Sequence, residues 1–173
     1  MNHARKPFYS LFNALCVAGI ASVTASTAVH AQTPAPVAKP GYVETKMVHE
    51  TYGAMLIVVP ITTDDKTIQS MKLRNLENSL DATEKWGGQM QSTVVLYSKG
   101  VSLPNNPDPE TKKKIDALKA RGVQFNICDN TLREQGISFH KLYQVVDRDI
   151  VPSGFAEVAY LQSKKNYVVD PIN

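Results

Sequence analysis

Gly122-Val123-Gln124-Phe125-Asn126-Ile127-Cys128-Asp129-Asn130-Thr131-Leu132-Arg133 is the stretch whose reading decides the fold. Glycine is a common helix stop, and Val123, Phe125 and Ile127 then alternate with Gln124 and Asn126 as in a short strand. Cys128 closes that strand. Asp129, Asn130 and Thr131 are residue types that start helices by accepting orphan backbone N–H bonds, and Leu132 to Gln135 can form the first turns. The thiol is therefore expected at the carboxyl end of a strand and the mouth of a helix, where open α/β sheets place ligands and where anions are stabilised.

A helix N-terminus contributes roughly 0.3–1 kcal/mol to a nearby negative charge, and up to about 2 kcal/mol when partly buried. At about 1.4 kcal/mol per pKa unit, that lowers a thiol by about one unit. A carboxylate on Asp129 facing the sulfur opposes the shift. The alternative reading is structural: Cys128 is a small buried hydrophobe at a strand end.

Outward from this stretch the chain alternates strand and helix. Met55 to Ile61 is a nearly unbroken apolar run, as in a strand buried on both faces, with Pro60 at its end or at a bulge. Thr63-Asp64-Asp65 offers a helix cap, and Ile68, Met71, Leu76 and Leu80 form an apolar stripe between Lys66 and Trp86. Gly87-Gly88 ends that helix, and Thr93 to Tyr97 is a second strand. Ser98 to Pro107 reads as a loop that leaves the carboxyl end of a strand and so can border the Cys128 site. Asp108-Pro109-Glu110 starts the next helix with a cap, a proline at its first position and an acid in its first turn. Lys112-Lys113-Lys114 forms its solvated face.

Beyond Gly136 the stretch Ile137 to Tyr143 contains a further helical segment bearing His140, a candidate general base or charge partner for the thiol. Val145 to Val151 reads as a strand interrupted by Asp147-Arg148-Asp149. Pro152-Ser153-Gly154 turns into a helix capped by Ser153, on the same sheet edge as Cys128. Asn166 to Val169 is a last short strand. The βαβαβαβαβ order predicts a three-layer α/β/α domain with a mainly parallel sheet of about five strands.

The amino terminus reads as a cleaved export signal over residues 1–31. Arg5 and Lys6 give a basic start, Leu11 to Ala25 is uncharged and rich in apolar and small residues, and Val29-His30-Ala31 offers small residues at a signal-peptidase site. The run is too short and too polar at its end for a membrane span. Residues 32–41, with three prolines in Gln32 to Pro40, read as an extended linker, and 42–173 as one domain. The expected location is the periplasm.

Removing 31 of the 173 residues leaves 142, enough for one core without disulfide staples. Losing Arg5 and Lys6 takes the formal charge from +3 to +1, so nothing argues for a nucleic-acid partner or an anionic membrane surface. Cys16 leaves with the signal, and Cys128 becomes the only thiol: hidden, paired between chains, or used. With one cysteine and two histidines, His49 and His140, at no regular spacing, no metal site is expected. The absence of a Gly-rich phosphate loop and of a C-x-x-C pair removes the motifs of nucleotide-binding and thioredoxin-like domains, and no cofactor is expected.

Gly122 to Leu132, then Ile150-Val151-Pro152-Ser153-Gly154-Phe155-Ala156-Glu157, then Leu161-Gln162 and Tyr167 to Pro171 together resemble the DsrE/DsrF-like family. The likeness spans about Tyr52 to Pro171. It implies homotrimers or homohexamers and a cysteine, at Cys128, that carries sulfur as a persulfide. Asp129, Asn130 and Thr131 would then stabilise the persulfide, and Ser153 and Gly154 would wall its pocket. The partner would be a small sulfur-containing molecule, or a sulfur donor or acceptor protein. A module that only binds a small ligand or senses redox state through the thiol is the second function compatible with the same residues.

Overall fold

The first described strand, β1 (Ala54–Ile61), lies in the interior of the sheet between β2 and β5, because its apolar run has no polar side to give to water. The computed structural model describes residue 41 and residues 43–170, and the elements of the fold all belong to the compact unit Thr45–Asn173. Residues 1–31, where an export signal is expected, residues 32–40 of the expected linker, residue 42 and residues 171–173 lie outside the described residues.

β1 feeds α1 (Lys66–Lys85), whose first turn is capped by Asp65: its Oδ1 accepts from the N–H groups of Thr67 at 2.8 Å and Ile68 at 3.2 Å. β2 (Gln89–Leu96) starts four residues earlier than its sequence suggests, because Gln89 to Ser92 pair in register with Ala54 to Ile57. A 3-10 turn (Ser98–Ser102) leads toward α2 (Pro109–Ala120), where Asp108 Oδ1 accepts from Thr111 N–H at 2.8 Å and Pro109 occupies the first position. Gly122, at φ 84°, makes the left-handed step into β3 (Gln124–Cys128). Then come α3 (Asp129–Gln135), β4 (Ile150–Val151), α4 (Gly154–Lys165) and β5 (Val168–Val169).

Three sequence expectations are corrected. The strand over Val145 to Val151 shrinks to Ile150–Val151, because Asp147–Asp149 close a 3-10 turn in which Asp149 Oδ2 accepts from Val146 N–H at 3.1 Å. The helical segment in Ile137 to Tyr143 is a single 3-10 turn, Phe139–Lys141. Asp129, Asn130 and Thr131 do not cap α3 with their side chains. Cys128 itself is the N-cap, since the strand runs directly into the helix and makes those three residues its first turn.

The sheet is parallel throughout, in the order β4-β3-β2-β1-β5, and the α/β architecture is the one the alternation predicts. Steps from β1 to β2 and β2 to β3 go one way along the sheet, so right-handed crossovers put α1 and α2 on one face. There Val59, Ile61, Val94, Leu96, Phe125 and Ile127 pack against Leu73, Leu76 and Leu80 of α1 and Ile115 and Leu118 of α2. The step from β4 back to β5 runs the opposite way, and the same handedness puts α4 on the other face. Val58 and Val95 there meet Leu161 and Tyr167, with Val158 and Tyr97 alongside. Each of these fully buried aliphatic side chains contributes about 1.5–3 kcal/mol of apolar burial. No described helix is long and apolar enough to cross a membrane.

Candidate functional site

Adjacent strands in this sheet send their chains to opposite faces at one place only along β1 to β4: between β3 and β4. Leu132 of α3, which follows β3, joins the core that includes α1 and α2, whereas α4, which follows β4, covers the other face. A crevice at the carboxyl ends of two such strands is the position at which open α/β sheets hold ligands. Cys128 ends β3 there, in register with Val151 of β4. Ser153 and Gly154 stand across the crevice at the start of α4.

Two helix N-termini therefore meet at the sulfur. Cys128 is 4% exposed. Burial pushes its thiol up, but hydrogen bonding outweighs that: the Thr131 hydroxyl first, then the backbone N–H groups of Gly154, Thr131 and Asn130 hold it below its ordinary value. The side chain makes no capping hydrogen bond of ordinary geometry. Donors of this kind gain strength when the sulfur carries charge.

Gly154 is suited to this position because it is small. A Cβ there would lie 2.7 Å from Tyr97 Cβ and 2.9 Å from Tyr97 Cδ1, so only glycine lets the start of α4 come this close. Ser153 uses its hydroxyl to cap α4, accepting from Ala156 N–H at 3.3 Å. Its side chain is committed to the helix. Asn130 contributes through its backbone N–H, which also donates to Pro152 O at 3.4 Å and so ties α3 to the β4–α4 turn.

Asp129 pairs with Arg133 one turn on, at 2.7 Å, which offsets the carboxylate expected to oppose the thiolate. His140 is exposed and its ring sits 4.0 Å from that of Phe139. Among the described residues no hydrogen bond or ion pair joins it to the crevice. No three His, Cys, Asp or Glu side chains gather among the described residues in a way that could hold a metal ion.

Of three further residues at the crevice, only Ser98 lies in a stretch, the loop after the second strand, that the sequence sets beside Cys128. Tyr97, half-buried, packs on Gly154 and also lines a neighbouring cavity of about 230 Å³ with Pro60, Thr62, Thr63, Ile68 and Lys72. Ser98, at φ 52°, donates its N–H to Thr131 Oγ1 at 3.0 Å. Gln135 Nε2 donates to Ser98 O at 3.0 Å. Each partner lies more than thirty residues away in sequence, beyond the reach of local patterns.

The model of the DsrE/DsrF-like family matches residues 54–171, the whole span from β1 through β5. Among solved structures, the protein of unknown function MTH1491 from Methanobacterium thermoautotrophicum is 26% identical with a TM-score of 0.58, covering 67% of this chain and 97% of its own. BT1422 from Bacteroides thetaiotaomicron, also of unknown function, is 18% identical with a TM-score of 0.48 over 66% of this chain and 91% of its own. The ychN protein from E. coli is 14% identical with a TM-score of 0.48, over 68% of this chain and 99% of its own. No curated protein matches the chain.

Proposed function

The chain belongs to the DsrE/DsrF-like family, and from that premise we propose that it is a sulfur carrier of the sulfur-relay type, holding sulfane sulfur as a persulfide on Cys128. The observation that carries this reading is the position of Cys128, which ends β3 in register with Val151 and is the N-cap of α3, where hydrogen bonding holds its thiol below the ordinary value despite burial.

The Cys128 thiolate attacks the outer sulfur of a small donor such as thiosulfate or an organic persulfide. A new S–S bond forms at Cys128 as the donor's own S–S bond breaks, and its electron pair leaves on sulfite or on the donor thiolate. No outside oxidant or reductant is consumed. The product is a persulfide whose terminal sulfur is anionic at neutral pH, and the donors that favour the thiolate favour it too. Thr131 and the N–H groups of Asn130 and Gly154 would hold it, with Asp129 and Ser153 at the rim. A thiolate acceptor, on a small molecule or a partner protein, takes the outer sulfur by the same exchange in reverse.

Mass spectrometry of the intact protein after incubation with polysulfide tests this. A gain of one sulfur atom that disappears in Cys128→Ser is the expected result. The wild-type mass staying unchanged, with the thiol still titratable, rejects the carrier reading. The near-complete burial of Cys128 favours a second reading, a non-catalytic small-ligand-binding or thiol redox-sensing module. In that case no sulfur is gained, and the thiol is instead oxidised reversibly by peroxide or shielded by ligand.

The proposal includes export to the periplasm, on the strength of the basic, apolar and small-residue pattern that ends at Ala31. Amino-terminal sequencing of the exported protein should begin at Gln32. It also includes assembly as a homotrimer or homohexamer, for which the exposure of Phe155 (74%), Tyr160 (46%) and Val168 (62%) speaks. Light scattering at micromolar concentration should give a multiple of the monomer mass.

A further inference from the structure

Thr131 is 5% exposed, so its hydroxyl has protein partners and little access to water. A hydroxyl has one proton to give, and on a helix it has an alternative use for it: back-bonding to the carbonyl four residues earlier. Here the oxygen accepts from Ser98 N–H at 3.0 Å. That bond uses the oxygen as an acceptor toward the loop after β2 and leaves its proton free for another partner, and the hydroxyl is among the groups that lower the Cys128 thiol.

The loop is itself held. Ser98 adopts φ 52°, a left-handed conformation that non-glycine residues take only at a cost. Gln135 stands one helical turn beyond Thr131 and donates its Nε2–H to Ser98 O at 3.0 Å. So α3 grips one residue's backbone from both ends: Thr131 takes the N–H of Ser98 and Gln135 takes its carbonyl.

We propose that Ser98 and Gln135 are positioning residues that aim the Thr131 hydroxyl at the sulfur of Cys128. The proposal rests on the carrier reading for its biological meaning, and its physical content is that the grip sets how readily Cys128 ionises. Charged groups nearby are the Asp129–Arg133 pair on α3 and Glu157 on α4, which accepts from Asn126 Nδ2 at 3.3 Å. Substitutions at Thr131 and Gln135 leave all of them in place.

The experiment is the pH dependence of iodoacetamide labelling of Cys128 on the folded protein with residues 1–31 absent, which has one thiol to report. Thr131→Val should raise the labelling pKa by about one unit, since a hydrogen bond to a charged group is worth roughly that much. Thr131→Ser, which keeps the hydroxyl, should restore it. Gln135→Ala, at an exposed position that does not threaten folding, should slow labelling at neutral pH by roughly two- to threefold. A Gln135→Ala profile identical to wild type overturns the positioning role of Gln135 and Ser98. Equal profiles for Thr131→Val and wild type overturn the whole proposal. Sulfur loading by polysulfide is read separately by mass. Its failure in wild type rejects the carrier reading, while the labelling profiles still judge the grip.

Discussion

Gly154 lies so close against Tyr97 that no side chain fits between them: an added Cβ would come within 2.7 Å of Tyr97 Cβ. This contact lets the first N–H of α4 reach the thiol across the crevice. Gly154→Ala should therefore act twice, costing about 1–3 kcal/mol of stability by overpacking and raising the labelling pKa of Cys128. Tyr97→Ala in the same chain should recover part of the stability loss, since contacting sites are not additive. Denaturant midpoints of the two single variants and the double variant measure the coupling.

Gly100 provides the contrast. A Cβ there would fall 1.8 Å from the backbone oxygen of Ile61, which belongs to β1 and cannot swing aside as a tyrosine ring can. Gly100→Ala should be the more damaging of the two substitutions, displacing the turn after β2. Comparing their thermal midpoints decides the order. A Gly100→Ala protein as stable as Gly154→Ala would mean that the turn can move away from β1.

The thiol links pH to stability with a definite sign. Its folded-state pKa lies below the ordinary value because the hydrogen bonds of Thr131, Gly154 and Asn130 outweigh burial. A depressed acid pKa stabilises the fold above the unfolded-state pKa, and that contribution is lost as pH falls through the folded-state value. The stability difference between wild type and Cys128→Ser should thus grow in favour of wild type from neutral pH up to mildly alkaline pH. Equal pH profiles for the two proteins would count against a stabilised thiolate.

Asp129→Asn should lower the labelling pKa slightly, since it removes a negative charge while leaving Arg133 in place. Both side chains are partly solvated, so the effect should shrink as salt is added. An unchanged profile at low ionic strength would show that the carboxylate never reaches the sulfur.

Lys72 Nζ and Asp170 Oδ2 stand 3.1 Å apart, with side chains 6% and 14% exposed. Removing one partner of such a pair leaves a buried charge and costs about 3–5 kcal/mol. Lys72→Met should show that loss in a denaturant titration, and adding Asp170→Leu should return part of it. A single variant within about 0.5 kcal/mol of wild type would place the pair among surface bridges of little energetic weight.

The parallel sheet was legible because its central strands bury both faces: Leu56 to Val59 and Thr93 to Leu96 leave a strand interior as the only home for their side chains. Helix starts at Asp65 and Asp108 were legible because capping is local. Cys128 could be placed at the sheet edge for the same reason, since Ile127 and Asp129 mark where strand becomes helix. What local pattern could not supply was the company the thiol keeps. The capping chemistry of Asp129 to Thr131 pointed to side-chain caps, but the helix begins one residue earlier, at the cysteine, and Thr131 turns its hydroxyl toward partners. Ser98, Gln135 and Tyr97 enter through contacts between distant segments. The strand expected over Val145 to Val151 shortened because Asp149 found a backbone partner three residues back and a cation, Lys119, at 3.6 Å.

The crevice at Cys128 is made of segments that lie far apart in the chain. β3 and α3 are adjacent in sequence, and the Ser98 turn lies well upstream of them, but Gly154 joins only when β4 has taken its place at the sheet edge. An unfolded chain thus carries a thiol of ordinary reactivity, no more prone to modification than any free cysteine. The stabilised thiol is therefore a property of the assembled sheet and of no single segment of the chain.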